Sequence, residues 1–427
     1  MMGPNNRTTD QDVQRSALKQ EATYHRRSPW TARRLVRAAC LRVWRGIYCL
    51  LDALWPKDRN LVIFSQEGRY WENSRYFFFY LVHDPARKWR CVWLAGTEET
   101  RRRVSMENGE DHVVPAYSMR GLFLSLRAGT AVISHGLNEL GPYQNISWRK
   151  RVLHLGHGIA IKQVGLLNRD LSRVGRMRYR LERARFSRMV VSSHLDRWLT
   201  MGCHGVPHEH AVITGLPRND ALLGASHAPP NHGEKALRER IRNRKAILYA
   251  PTWREVGDVR WFPFDDFNMD ELEDLLAELD AVLLLRPHQY DLGFREQILP
   301  LISHTTTMDV LTGEACPDIQ EALPSVDLLI TDYSSIYLDY LLLDRPMLFL
   351  PYDLKNYDRV RGMAYDYELI TPGPKPLEFA SFLTHLRCAL TGQDAYGDAR
   401  GIVRRMFHAY PDAGSCKRVA EALSAMS

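Results

Sequence analysis

The 427 residues exceed one ordinary core and suit two domains of ordinary size with terminal extensions, and 45% apolar residues with 10 Trp and 19 Tyr leave much to bury. Lys and Arg outnumber Asp and Glu by 57 to 50, a formal charge of +7, which favours an anionic partner such as phosphate, acidic lipid or nucleic acid. The seven cysteines are scattered and form no C-x-x-C pair, so a disulfide framework and a zinc knuckle are excluded and a reducing cytoplasm fits.

Positions 1–29 are polar and lack the short apolar core of a signal peptide, so export by that route is not expected. Residues 1–28 read as a disordered tail. Residues 29–56 then predict a basic amphipathic helix. Val36, Val43, Ile47, Leu50 and Leu54 form one stripe and Arg34, Arg42 and Arg45 fall on another side. Arg37, Arg42, Arg45 and Asp52 inside the apolar stretch would each cost about 2.5–3.5 kcal/mol at a bilayer centre, so the helix is expected to lie on an anionic membrane surface with these groups solvated. Docking of the helix on the first domain is the alternative.

After Pro56, short apolar runs alternate with helical spacing: NLVIFS, WRCVWLAG, GTAVISHG, KRVLHLGHG, SRMVVSSH and HAVITGLPRND. Continuous apolar strands separated by helices imply a parallel sheet covered on both faces. The Gly-, Pro- and charge-rich stretch 222–244 marks a boundary, and the rhythm restarts with KAILYAPTW, AVLLLRPH, VDLLITDYSS and RPMLFLPYD. The expected fold is therefore α/β with two Rossmann-like domains, 57–230 and 231–427, the second ending in closing helices of which one crosses back to the first.

Three segments carry chemistry. In VDLLITDYSSIYLDY (326–340) a strand runs into a helix whose start, with Ser334 or Ser335 as N-cap, offers backbone N–H groups and hydroxyls to a phosphate, and Asp339 falls one turn along on the same face. In LLLRPHQY (283–290) a strand ends in Arg286, Pro287 and His288, a fork donor and an imidazole at the usual ligand edge of such a sheet. In LHLGHGIAIK (153–162) His157 stands between Gly156 and Gly158 at a strand end, uncovered as a general base requires, with Lys162 five positions on. His154 competes for that role but falls back within the apolar run.

With YAPTWR (249–254) and GLPRND (215–220), these segments resemble the CDP-glycerol glycerophosphotransferase family, which builds poly(glycerol phosphate) and related chains of teichoic acids and some capsules. The match runs from about Asn60 to Tyr367, and TDYSS with its trailing DRP and YD is its most specific part. The resemblance implies a GT-B-like fold with the active site between the domains and His157 as base. It also implies donor contacts from Arg218, Thr252, Arg286, His288, Ser334, Ser335 and Asp339. Gly158, Trp253, Pro287 and Asp332 are expected to bind substrate with them, and Lys162 is expected to hold the acceptor's own phosphate. It calls for no metal and no cofactor. The family commonly reads Trp-His-Gly-Thr-Pro-Leu-Lys where this chain has Gly156 to Lys162, so the histidine and lysine are kept while the tryptophan and threonine are not. The expected partners are a CDP-glycerol or CDP-ribitol donor, a lipid-linked glycan or poly(alditol phosphate) acceptor and the cytoplasmic membrane face. Nucleic acid is not expected, for no interleaved basic and aromatic platform is present. A nucleotide-sugar glycosyltransferase and a non-catalytic membrane-surface scaffold are the rival readings.

Overall fold

A computed structural model describes residues 32–66, 68–86, 88–254, 259–287, 291 and 293–426, with the side chains of all but 32–38, 295 and 297. The tail expected over 1–28 and residue His288 lie outside the described residues, as does the side chain of Val36.

The apolar runs become strands. β1 (Asp58–Phe64), β2 (Arg90–Ala95), β3 (Val113–Pro115), β4 (Ala128–Ile133), β5 (Arg151–His154), β6 (Arg188–Val191) and β7 (Ala211–Ile213) form one sheet in the order β3-β2-β1-β4-β5-β6-β7. β8 (Lys245–Tyr249), β9 (Ala281–Leu285), β10 (Met308–Val310), β11 (Leu328–Thr331) and β12 (Met347–Phe349) form a second in the order β10-β9-β8-β11-β12. Every pairing is parallel, with Ile63 opposite both Val92 and Ala131 and Leu248 opposite both Leu284 and Leu329. Leu61 to Phe64 and Ala281 to Leu285 are buried without a break, as strands covered on both faces must be. The first strands of both sheets wind 3-2-1-4-5, which leaves a crevice beyond the carboxyl ends of β1 and β4 and another beyond β8 and β11. The edge strands β3 and β10 have no counterpart among the apolar runs, because three residues, one of them Pro115 or Asp309, are too short to make one.

The halves are tied at several points. Gln163 N–H donates to Gly362 O at 2.9 Å and Ala364 N–H to Ile161 O at 2.9 Å, an antiparallel bridge between Lys162 and Met363. The closing helix Ser415–Ser424 crosses back: the Asp220 carboxylate accepts from Ser415 and Cys416 N–H, both at 2.8 Å, and Val419 and Leu423 join the core that holds Phe77 and Phe78.

The basic helix spans Ala32–Leu54 and does two things at once. Its inner face packs on the first sheet, with Tyr48 fully buried and Trp44 Nε1 donating to Pro142 O at 3.0 Å. Asp52 belongs to that face, a correction to its expected solvation. Its Oδ1 meets the Lys57 and Lys150 ammonium groups, both at 2.6 Å, and its Oδ2 accepts from Ser147 N–H at 2.8 Å. On the outer face Val43, Ile47, Leu50 and Leu54 remain between 48% and 71% exposed, so docking does not consume the apolar stripe.

Candidate active site

The chain leaves β5 through Leu155 and turns at Gly156 (φ 69°) and Gly158 (φ 148°), conformations open to glycine, and so holds His157 out of the strand. A Cβ on Gly158 would stand 3.0 Å from the Arg218 guanidinium and 3.8 Å from Ser335 Oγ, so that glycine lets the second half approach His157 closely. His154 stays within the protein: its Nε2 meets His135 O at 3.1 Å and its Nδ1 accepts from Gly156 N–H at 3.2 Å, and burial lowers its pKa. Both His154 ring nitrogens are thus occupied within the protein.

The His157 ring stacks on His135, with centroids 4.7 Å apart and planes 11° apart, and neither ring nitrogen has a hydrogen-bond partner among the described residues. The side chain is open to solvent but stands deep in the cleft. The surrounding protein, followed by the charges of His135, Arg218 and Arg183, lowers its pKa to about 4. His135, at the end of β4, has the opposite bias: burial opposes its charge, but the Glu139 carboxylate at 2.6 Å and nearby Glu72 outweigh that and raise its pKa. The two stacked rings are thus biased in opposite directions. Glu72 opens the helix Glu72–His83 in a left-handed conformation (φ 52°), strained for a side chain of its kind. Its Oε2 lies 3.9 Å from His135 Nε2 without a hydrogen bond, and burial raises its pKa. His135 and Glu72 escape a reading by motif, for one follows β4 and the other opens a helix, and only the fold brings them beside His157.

Arg218 is buried and joins the halves. Its Nη1 donates to His157 O at 2.8 Å, its Nη2 to Asp339 Oδ2, and its backbone N–H to Asn73 Oδ1 at 3.1 Å. Asp339 is itself buried and also accepts from Gln320 Nε2 at 2.9 Å, so it orients Arg218 where a direct contact with a donor hydroxyl was expected. Ser335 occupies the N-cap position of the helix Ile336–Tyr340 but its hydroxyl makes no capping bond, and Ser334 Oγ stands 3.5 Å from Ile336 N. Ser334 accepts from the first N–H of the helix, while the Ser335 hydroxyl is left for other work.

The crevice between β8 and β11 carries YAPTWR on one side and TDYSS on the other. Asp332 locks them together, its Oδ1 accepting from Thr252 N–H at 2.7 Å and its Oδ2 from Arg254 Nη2 at 2.9 Å. Arg254 continues to Asp353 at 3.0 Å and lies over the Tyr333, Tyr352 and Tyr357 rings. Asp332 is therefore a brace. Thr252 Oγ1 is buried without a partner among the described residues, in a cavity of about 300 Å³ that is also lined by Trp253, Ser334, Lys162 and Arg361. A second cavity of about 350 Å³ opens at His157, Gly158 and Ser335, and it too is lined by Lys162 and Arg361. The two chambers share those cations and lie on either side of them. Arg286 lines neither: its guanidinium donates to Leu311 O at 2.9 Å, Thr312 O at 2.6 Å and Cys316 O at 2.7 Å, holding the loop after β10, with Pro287 next to it.

The arrangement offers an imidazole held neutral, unspent hydroxyls and a row of cations, the requirements of a transfer between phosphorylated substrates. Similarity points the same way. The staphylococcal "Teichoic acid glycerol-phosphate transferase" (Staphylococcus aureus) is 25% identical over 386 residues, 86% of this chain and 93% of that one. The "Teichoic acid poly(glycerol phosphate) polymerase" of Bacillus subtilis is 36% identical over 174 residues, 38% of this chain and 21% of that one. The solved "Wall Teichoic Acid Polymerase TagF" superposes with a TM-score of 0.71 at 20% identity, covering 98% of each chain, which establishes the GT-B-like fold. The family model described as CDP-Glycerol:Poly(glycerophosphate) glycerophosphotransferase matches residues 47–425, nearly the whole globular part, and the chain belongs to that family.

Proposed function

We propose that the protein transfers an alditol phosphate, glycerol phosphate in the first instance, from its CDP-linked form to a hydroxyl on a growing poly(alditol phosphate) chain. The observation that carries this is the pair of chambers meeting at Lys162 and Arg361, one containing His157 and the other Thr252, Trp253 and Ser334. A TagF variant was soaked with CDPG, and ribitol-phosphate polymerases stand among the relatives. The acceptor O–H attacks the alditol-side phosphorus and gives its proton to His157. The bond from that phosphorus to the bridging oxygen breaks, and CMP leaves with the electron pair. Phosphoryl transfer needs charge neutralisation more than covalent help, which Lys162, Arg361 and the hydroxyls of Thr252, Ser334 and Ser335 supply. Arg218 and Asp339 hold the His157 loop against the second half. CMP release from CDP-glycerol with a glycerol-phosphate-ended acceptor tests the reading. UDP or GDP release from nucleotide sugars, with CDP-glycerol inert, overturns it.

The acceptor in this reading is lipid-linked and met at the cytoplasmic face of the membrane. Among the described residues no helix is long and apolar enough to cross a bilayer, but the stripe of Val43, Ile47, Leu50 and Leu54 lies beside exposed Arg42 on a helix fixed to the body of the protein. Each arginine near an anionic surface contributes about 1 kcal/mol. Replacing Val43, Ile47, Leu50 and Leu54 together by serine is expected to abolish co-sedimentation with anionic vesicles while thermal stability is kept, because none of the four packs inward. Equal sedimentation of both proteins refutes the membrane role.

A further inference from the structure

The chamber behind His157 extends away from the donor side into the first half of the protein, between the helices Arg173–Arg183 and His194–His204. Apart from Ser335 and Arg361, every residue lining it comes from that half. Its polar groups are only partly used. Arg183 is buried, with 9% of its side chain exposed, and is clamped over the Tyr179 and Phe186 rings at 4.4 and 4.8 Å. Its Nη1 donates to Glu182 at 2.9 Å and its Nη2 to His135 O at 3.3 Å, while its Nε is buried with no partner among the described residues. Tyr179 OH lies 2.6 Å from His204 Nδ1. Burial, then the charges of Arg183 and His157, lower the His204 pKa to about 3, so the ring is neutral. In the tautomer in which the tyrosine hydroxyl donates to Nδ1, the His204 proton sits on Nε2 and is a further donor. The one carboxylate among the described lining residues, Asp196, is taken up by Ser192 N–H at 2.8 Å and Thr200 Oγ1 at 3.4 Å.

A chamber with buried cationic and neutral donors, and its single acid spent, selects an anion that also carries hydroxyls. We propose that it is the acceptor subsite, taking a phosphorylated polyol: Arg183 and His204 hold the phosphate group that precedes the attacking hydroxyl, and that hydroxyl is thereby presented to His157. This rests on the transfer reading above, and it adds Arg183, His204 and Tyr179 as residues that select the acceptor. The volume of about 350 Å³ lies within the ~300–1,000 Å³ range of small-molecule sites.

The probe is glycerol 3-phosphate, titrated calorimetrically into the full chain with CMP present to fill the donor side. Arg183→Met is expected to weaken its binding by about tenfold or more, the loss of roughly one charge-assisted hydrogen bond, and Tyr179→Phe to weaken it similarly by releasing the His204 ring that the tyrosine hydroxyl holds. Each is also expected to raise the KM for a glycerol-phosphate-ended acceptor by a similar factor while leaving CDP-glycerol affinity unchanged. Unchanged probe affinity and acceptor KM in both variants overturn the subsite, and a fall in donor affinity in step with them assigns the chamber to the donor and overturns it equally. If Arg183→Met fails to fold, Tyr179→Phe, which keeps the ring beneath the guanidinium, decides alone. Failure of the transfer reading is seen separately, as wild-type protein that turns over no CDP-alditol. Arg183-dependent binding of glycerol 3-phosphate by that protein would still uphold the subsite.

Discussion

Replacing His157 by alanine is expected to lower transfer by about 10² to 10⁴, the usual loss on removing a general base, while CDP-glycerol binds with nearly its wild-type affinity. The separation follows from the geometry. His157 stands in the chamber away from Thr252 and Trp253, and Arg218 grips its carbonyl rather than its ring, so the loop survives the truncation. The pH profile carries the same information. A base with its pKa lowered to about 4 remains unprotonated well below the usual imidazole range, so kcat/KM should hold as the pH falls and drop only near that value. His135→Phe removes one of the charges that lower it, and the acid limb should then move upward towards the ordinary histidine range. Near-normal turnover in His157→Ala contradicts the assignment. An acid limb unmoved by His135→Phe contradicts the coupling of the two rings.

The largest effect on stability is expected at Asp52. Burial raises its pKa, but the attraction and hydrogen bonds of Lys150, with Lys57 and Ser147 N–H, prevail and hold the carboxyl below its ordinary value, while burial lowers Lys150 to about 8. Asp52→Ala leaves two ammonium groups without their counter-ion inside the protein. Breaking a buried ion pair on one side costs about 3–5 kcal/mol, and the helix Ala32–Leu54 should lose its seat on the first sheet. Thermal denaturation of the mutant, followed together with protease sensitivity of that helix, measures this. Asp52→Ala combined with Lys150→Met should recover part of the loss, since it removes the more deeply buried stranded charge. A melting temperature equal to wild type in the single mutant refutes the account.

Much of this architecture was legible in the sequence because parallel strands buried on both faces read as unbroken apolar runs, and residues 61–64, Ala281–Leu285 and residues 328–330 do so. The turn that carries His157 was legible too, because glycines on both sides of it mark a break that no strand interior would carry. Side-chain partners were not. Asp339 sits where helical spacing puts it, one turn beyond Ser335, yet its carboxylate is claimed by Arg218 from the other half of the chain. Arg286 stands at the end of its strand as expected, but three carbonyls around the loop after β10 take its guanidinium. Asp52 read as one more charge on a surface helix, because nothing local shows that Lys57 and Lys150 converge on it. In each case the pairing spans residues that the sequence keeps far apart or on different elements. Periodicity reports which face is apolar and is silent about which ion will meet which.

The short pairing of Ile161–Gln163 with Gly362–Ala364 joins the two halves on the floor of the cleft, beside Lys162, where the chambers meet. A second tie joins Asp220 to the start of the closing helix, and the buried Arg218–Asp339 and Arg75–Glu321 ion pairs also cross from one half to the other. Halves held at several separate points keep their bearing, so the spacing between groups contributed by different halves, His157 and Ser335 among them, is set by the fold before a substrate arrives.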